Sequence, residues 1–402
     1  MKEKEKLILM YRDFEVLSFE VDYDNCRVTI LKKLDRFDKA PYGIEKSDHP
    51  DMSLLRFFNS RAIAAQRCDI ARILKATGAK DEFELSFRGH GLSLSNHYWF
   101  KRENENLKYD DINFFSNGWD DTFGRAILNG DYEVLKTCDL NVPDIVTPGW
   151  GVKAWIYDNG PKLYKLGIDN DHPEEAICEV LASRLANRIF ENGEVLRYEL
   201  KMINGKYASV SPCMITKDEE LVPLSFVLPS EWYSFYRNKN IDKQSGKVFL
   251  EKLKTCDMPE LYQLFVKIYC FRTIGFISDL HFGNISMIRD MKTNKLRLAP
   301  LYDLGGAFGS SKTGKDIISK ANKGTMLMIY FLFSGLDPNW DYSWYNPDKL
   351  IGFEDEIKEY LSKSEFYTLE IIKCVIDVYH QQKKELDDMK KGSKWYVLPF
   401  KR

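Results

Sequence analysis

The chain has 402 residues, 44% of them hydrophobic and 29% charged, the composition of a soluble globular enzyme with material for two or three packing units. A formal net charge of −2 supplies no global field that would make nucleic acid or an anionic membrane the main partner. The opening Met1-Lys2-Glu3-Lys4-Glu5-Lys6 alternates charge with no long apolar stretch behind it, and no run approaches the roughly 18 apolar residues of a membrane helix. Eight scattered cysteines with no C-x-x-C pair read as free thiols in a reducing compartment, so the expected location is cytoplasmic and no membrane partner is expected.

In chain order, Leu7–Met10, Val16–Val21 and Cys26–Leu31 read as strands, the last two separated by the turn-forming Asp22-Tyr23-Asp24-Asn25. Met52 to Gly78 reads as one helix, marked by Leu54, Leu55, Phe58, Ile63, Ile70, Ile73 and Leu74. Residues 80–125, rich in Ser, Asn, Gly and aromatics, carry no clear period. A strand into Val146 leads to Thr147-Pro148-Gly149-Trp150-Gly151. The strand Lys153–Tyr157, the turn Asp158-Asn159-Gly160-Pro161 and the strand Lys162–Leu166 follow. Asp171 caps the next helix and Pro173 lies in its first turn; its stripe is Glu175, Cys178, Ala182, Leu185 and Ile189. Strands are predicted over Val195–Met202 and Tyr207–Met214. Helical signals dominate after Pro229, notably Pro259–Gly275, interrupted by a hairpin of Ile285–Ile288 and Lys295–Leu298. The expected architecture is α+β: a two-lobed, protein-kinase-like fold. It has an N-terminal accessory region (1–130), a β-rich nucleotide-binding lobe (131–225) and a helical catalytic lobe (226–402).

The stretch Ile277-Ser278-Asp279-Leu280-His281-Phe282-Gly283-Asn284-Ile285, followed by Pro300-Leu301-Tyr302-Asp303-Leu304-Gly305, carries the chemistry. Phosphoryl transfer needs a carboxylate to orient and deprotonate the acceptor hydroxyl, and oxygen ligands for Mg²⁺ (or Mn²⁺) on the ATP phosphates. Asp279 is the candidate base; Asn284 and Asp303 are the candidate metal ligands. His281 is read as supporting the loop, because no other His or Cys stands at zinc-ligand spacing.

This segment resembles the catalytic and metal-binding loops of the HipA family of bacterial serine/threonine kinases, including the Pro-x-Tyr-Asp approach to the metal ligand. Ser278 stands where family members often carry Asn or Thr. Weaker likenesses extend over most of the chain, but only 275–305 is specific. The resemblance implies a protein serine/threonine kinase of toxin type, a protein substrate and an antitoxin partner. It also makes Thr147 the candidate autophosphorylation site, since HipA kinases modify a serine in this loop; Val146 makes that match inexact. The loop is similar as well to that of aminoglycoside and choline kinases, but Pro300 and Tyr302 favour the HipA reading. A nucleotide-binding pseudokinase is the third alternative.

Upstream, Gly149 and Gly151 would let backbone N–H groups approach phosphate, although a Gly-containing β-turn reads the same way. Lys165 is the candidate phosphate-binding lysine, with Lys153 and Lys162 as competitors. Glu175 heads an otherwise apolar stripe and is its candidate ion-pair partner, with Glu179 as the substitute. The run Gly309-Ser310-Ser311-Lys312-Thr313-Gly314-Lys315 matches seven positions of a phosphate-binding loop. The eighth is Asp316 where a hydroxyl is needed, so 305–324 is expected to be a mobile segment instead.

Overall fold

The computed structural model describes residues 4–45, 47–167, 174–228, 259–277, 284–310 and 340–392. It is a mixed α/β chain in which the described residues form three antiparallel sheets. Strands β1 (Lys4–Tyr11), β2 (Phe14–Asp22) and β3 (Arg27–Lys33) are where the alternation predicts them. With β4 (Tyr98–Lys101) they make a sheet of order β3-β2-β1-β4. The β2–β3 turn is an Asx turn: the Asp22 carboxylate accepts from the Asn25 N–H at 2.9 Å. The continuous apolar run Leu7–Tyr11 in β1 is explained by burial of both sheet faces. Leu7, Leu9 and Tyr11 join one core with Phe19, Phe57, Phe58, Phe87, Tyr98 and Phe100. Ile8 and Met10 join another with Trp99, Tyr109 and Phe114.

The single helix predicted from Met52 to Gly78 is two helices, α1 (Pro50–Asn59) and α2 (Ile70–Thr77). Tertiary polar contacts break it. Arg67 and Asp69 form a fully buried ion pair at 2.6 Å, and Arg67 donates to the Lys153 carbonyl at 3.2 Å. Removing either charge alone would strand the other in the interior, so the segment between the helices is held to this geometry. Gly78 ends α2 in the left-handed region, φ 67°. Within 80–125 lie three short helices, α3 (Glu82–Ser86), α4 (Tyr109–Ile112) and α5 (Thr122–Asn129), as well as β4. The strand expected into Val146 is a 3-10 turn, Pro143–Val146, in which proline supplies the first residue.

The second sheet has the order β5-β6-β8-β7, with β5 (Lys153–Tyr157), β6 (Pro161–Lys165), β7 (Glu199–Ile203) and β8 (Lys206–Pro212). The β5–β6 turn uses left-handed Asn159 and Gly160. The third sheet, β11-β10-β9, adds β9 (Glu219–Pro223), which carried no sequence expectation, to the hairpin of β10 (Ser286–Asp290) and β11 (Leu296–Leu298). The helix α7 (Leu224–Val227) follows β9.

The remaining helices are α6 (Glu175–Ile189), α8 (Pro259–Ile274), α9 (Phe353–Leu361) and α10 (Leu369–Lys390). The proposed cap Asp171 and Pro173 lie outside the described residues. Twelve of the fifteen residues of α6 are buried, so it is a central helix rather than one with a single apolar stripe. Arg184 and Arg188 of α6 both bind Glu356 of α9.

The chain divides into two compact units. One comprises Met1–Pro173, Lys201–Val227 and Ser286–Ala299; the other comprises Glu174–Leu200, Leu228–Ile285 and Pro300–Arg402. Among the described residues no helix is long and apolar enough to cross a membrane.

In the first unit, His97 is fully buried; its Nε2–H donates to the Glu219 carbonyl at 2.8 Å and its Nδ1 accepts from the Tyr109 hydroxyl at 2.6 Å. Burial, helped by the nearby Arg12 charge, lowers its pKa from 6.5 to about 4. The folded state therefore favours neutral His97. Its contribution is complete above pH 6.5 and is lost as the pH falls through about 4. We expect His97→Gln to remove up to ~3 kcal/mol of the acid dependence of stability. Urea denaturation at pH 7 and pH 4 checks this, and an unchanged dependence in the variant would refute it.

Candidate active site

Asn284 and Asp303 flank the β10–β11 hairpin. The Ala299 N–H donates to the Ser286 carbonyl at 2.9 Å. The two strands therefore end side by side, about 5 Å apart at Cα. Asn284 lies two residues before Ser286 and is 8% exposed; Asp303 lies four residues after Ala299 and is half-buried. Asp279 and His281 lie outside the described residues.

The segment carrying Asp303 is fixed at several points, all within the second unit. Leu301 forms a parallel bridge with Val195: the Leu196 N–H donates to the Leu301 carbonyl at 2.9 Å, and the Leu301 N–H to the Glu194 carbonyl at 2.8 Å. The Asp303 N–H donates to the Tyr198 hydroxyl at 3.1 Å, and the Leu304 N–H to Glu179 Oε1 at 3.1 Å. A Cβ at Gly305 would overlap the Glu175 carboxylate, with Cγ only 2.7 Å away, so glycine there allows the carboxylate to lie against the backbone. Asp303 itself is left-handed, φ 59°, as are Phe276 (36°) and Phe308 (48°). Three such non-glycine residues around one loop are the kind of backbone strain that persists where surrounding structure enforces it.

Residues 305–310, expected to begin a mobile segment, are instead packed. Ala307 and Phe308 are fully buried, the Ser310 hydroxyl donates to the Gly305 carbonyl at 2.5 Å, and the Phe308 N–H donates to the Gly275 carbonyl at 3.0 Å. The Tyr367 hydroxyl donates to the Phe308 carbonyl at 2.9 Å. The rest of the phosphate-loop match, Ser311–Lys315, lies outside the described residues.

Glu175 is buried, but so are Glu174 and Glu179. The apolar stripe therefore does not single out Glu175. Glu179, weighed only as its substitute, is the carboxylate that holds the Asp303 loop. Tyr198 had no signal in the sequence, because its role rests on a contact 105 residues away in the chain.

In the first unit, Lys153 and Lys165 are direct partners across the β5–β6 ladder and are both buried at 7% exposure. Their face of the sheet also carries buried Ser209 and Ser211, which lie on β8 opposite Lys165 and Leu163. The other face packs Ala154, Ile156, Tyr164, Ala208 and Val210 into a core. Lys162, on that other face and paired to Asp158 at 3.0 Å, is not part of the polar set. Gly149 has φ 114°, and a Cβ there would run into the Lys153 ammonium. Glycine at 149 therefore lets the Lys153 ammonium lie against the loop. Gly151 is buried beside it. Lys165 and Glu175 belong to different compact units.

Thr147 is 7% exposed, and its hydroxyl donates to the Pro143 carbonyl at 2.7 Å while accepting from the Trp155 indole at 3.1 Å. Nearby, Asp144 accepts from the Trp155 N–H at 2.8 Å, and burial raises its carboxyl pKa to about 7.

No protein-family model matches the chain, and no curated protein matches it. Among solved structures, HipA in the Shewanella oneidensis MR-1 toxin–antitoxin complex of HipA, HipB and operator DNA is similar, with a TM-score of 0.53 at 12% identity over 97% of this chain and 100% of that one. The proinflammatory kinase CtkA of Helicobacter pylori gives a TM-score of 0.45 at 13% identity, over 60% of this chain and 91% of that one. At 12% identity the HipA likeness is one of fold: the chain has a kinase-like mixed α/β fold.

If Glu179 holds the Asp303 loop, Glu179→Ala leaves the buried Leu304 N–H without this acceptor and should cost about 1–3 kcal/mol, whereas Glu179→Gln retains an acceptor and most of the stability. Equal denaturation midpoints for Glu179→Ala and the wild type would remove Glu179 from this role.

Proposed function

We propose that the chain is an ATP- and Mg²⁺-dependent phosphotransferase that transfers the γ-phosphate to a hydroxyl, specifically a HipA-like serine/threonine protein kinase controlled by an antitoxin partner. The observation that supports this most is that Asn284 and Asp303 flank the β10–β11 hairpin, whose ends are joined by the Ala299–Ser286 hydrogen bond, with the Asp303 loop held by Glu179 and Tyr198.

The oxygen donors of Asn284 and Asp303 suit a hard cation such as Mg²⁺ or Mn²⁺. Asn284 and Asp303 would hold such an ion, which would supply positive charge to offset that of the triphosphate. In this reading Lys165 and Lys153 supply ammonium groups to the phosphates, and the loop of Gly149 and Gly151 offers backbone donors close to them. Asp279 orients the acceptor hydroxyl and takes its proton as the oxygen bonds to phosphorus and the bond to the ADP oxygen breaks. His281 supports that loop, while Glu175 and Glu179 hold the backbone around Asp303.

Thr147 is the proposed acceptor for autophosphorylation. A phosphorylated threonine has no hydroxyl proton to give the Pro143 carbonyl, so the modification would dismantle the Pro143–Thr147 turn and place negative charge beside the loop. Mass spectrometry of the active protein should find phosphate on Thr147; active protein modified only elsewhere would exclude it.

The two aspartates provide the central test. Asp303→Asn should lose both nucleotide affinity and transfer. Asp279→Asn should keep ATP–Mg²⁺ affinity while transfer falls on the order of 10²–10⁴-fold, the usual range for one general base. Calorimetry and phosphoryl transfer measured side by side distinguish them. Equal loss of binding in both variants would reverse the assigned roles, and full activity in Asp279→Asn would eliminate this mechanism.

A further inference from the structure

In the first unit, a cavity of about 210 Å³ is lined in part by Lys39, Tyr42, Gly43, Tyr98, Arg289 and Asn294. At the ~30 Å³ that a water occupies in the liquid, it has room for roughly seven water-sized groups. Its inner wall adjoins a buried set of charges that does not balance. Glu220, 3% exposed, accepts from Arg289 at 2.9 Å, and the same Arg289 nitrogen contacts the Tyr98 hydroxyl at 3.2 Å. Arg61, 5% exposed, lies in the field of that same glutamate and meets no other carboxylate among the described residues. Two guanidinium groups therefore share one carboxylate.

Arg61 is met instead by the Gly91 carbonyl, a long 3.5 Å contact to the Tyr98 carbonyl and the Phe57 ring at 5.0 Å. Its Nε and that of Arg289 are buried without a hydrogen-bond partner. Burial lowers the Arg61 pKa to about 10, partly offset by the nearby Glu220, whereas Arg289, paired directly to Glu220, is shifted upward. At the other wall, Pro41–Ile44 forms a turn closed by the Ile44 N–H on the Pro41 carbonyl at 3.1 Å, with Gly43 at φ 87°. The backbone N–H groups of Tyr42 and Gly43 make no hydrogen bond among the described residues. The acidic residues that also line the cavity are exposed: Asp38, which is paired to Arg36 at 3.1 Å, and Glu45.

We propose that this cavity binds a small organic acid through a single carboxylate, which meets Arg289 and Lys39 at the cavity wall, offsets the excess positive charge of the set behind it and accepts hydrogen bonds from the turn at Tyr42–Gly43. A buried positive charge in excess is costly, and a planar carboxylate matches the guanidinium fork. A ligand bound to the folded state raises its melting temperature with a saturable dependence on concentration.

The test is thermal denaturation of the full chain with sodium acetate, sodium benzoate and inorganic phosphate, each against sodium chloride at equal ionic strength. Acetate or benzoate should raise Tm saturably above the chloride control. Glu220→Gln, which removes the competing internal carboxylate, should bind benzoate about tenfold or more tightly. Lys39→Glu changes a side chain with no ion-pair partner among the described residues. It should leave the ligand-free Tm unchanged and weaken binding several-fold. No shift beyond chloride in the wild type overturns the proposal. A shift with phosphate alone overturns the carboxylate assignment, and a benzoate shift unaffected by Lys39→Glu places the ligand elsewhere.

Discussion

The start of the buried helix α6 and its N-cap carry three interior carboxylates, Glu174, Glu175 and Glu179, and an interior carboxylate is tolerated only where donors or opposite charge meet it. Glu179 receives the Leu304 amide, and Glu175 lies against the backbone of Gly305. These contacts hold the segment after Leu301 against the helix. The left-handed Asp303, the packing of Ala307 and Phe308 and the Tyr367 bond to Phe308 all depend on that placement. Glycine at 305 is part of the same constraint, because any side chain there would displace the carboxylate. The kinase-like fold and the proposed chemistry meet at this loop.

The legible parts of the fold are those set by local periodicity. β5 and β6 alternate a core face with a polar one across a turn of Asn159 and Gly160, and both were readable for that reason. The break between α1 and α2 was not, because Arg67 and Asp69 look like ordinary surface charges until they are buried against each other. β9 was missed for a similar cause: its partner, β10, lies more than sixty residues downstream. The pattern of the candidate site was visible through the spacing of Asn284 and Asp303. The supporting contacts were not, since Lys153 and Lys165 carry the same alternation and Glu175 and Glu179 lie one helical turn apart.

The first unit shows a different balance of forces. Its core is built from aromatic rings, with Phe58 5.3 Å from Phe19 and 5.0 Å from Phe87, and Phe87 5.1 Å from Phe100. Such rings contribute large apolar area together with preferred offset geometries. That area surrounds several fully buried polar groups, among them Arg67, His97 and Glu220. The unit is consequently both tightly packed and electrostatically loaded.

The division of the chain into units made of alternating segments bears on how the protein is synthesised. The β1–β4 sheet has all its strands once residue 101 has emerged, and β5, β6, β7 and β8 are complete by residue 212. β9, however, waits for β10, and the first unit lacks its last segment until residue 299. By then α6, which belongs to the second unit, has already been made. On the ribosome, therefore, neither unit can finish before the other begins, and no single cut in the chain releases either one whole.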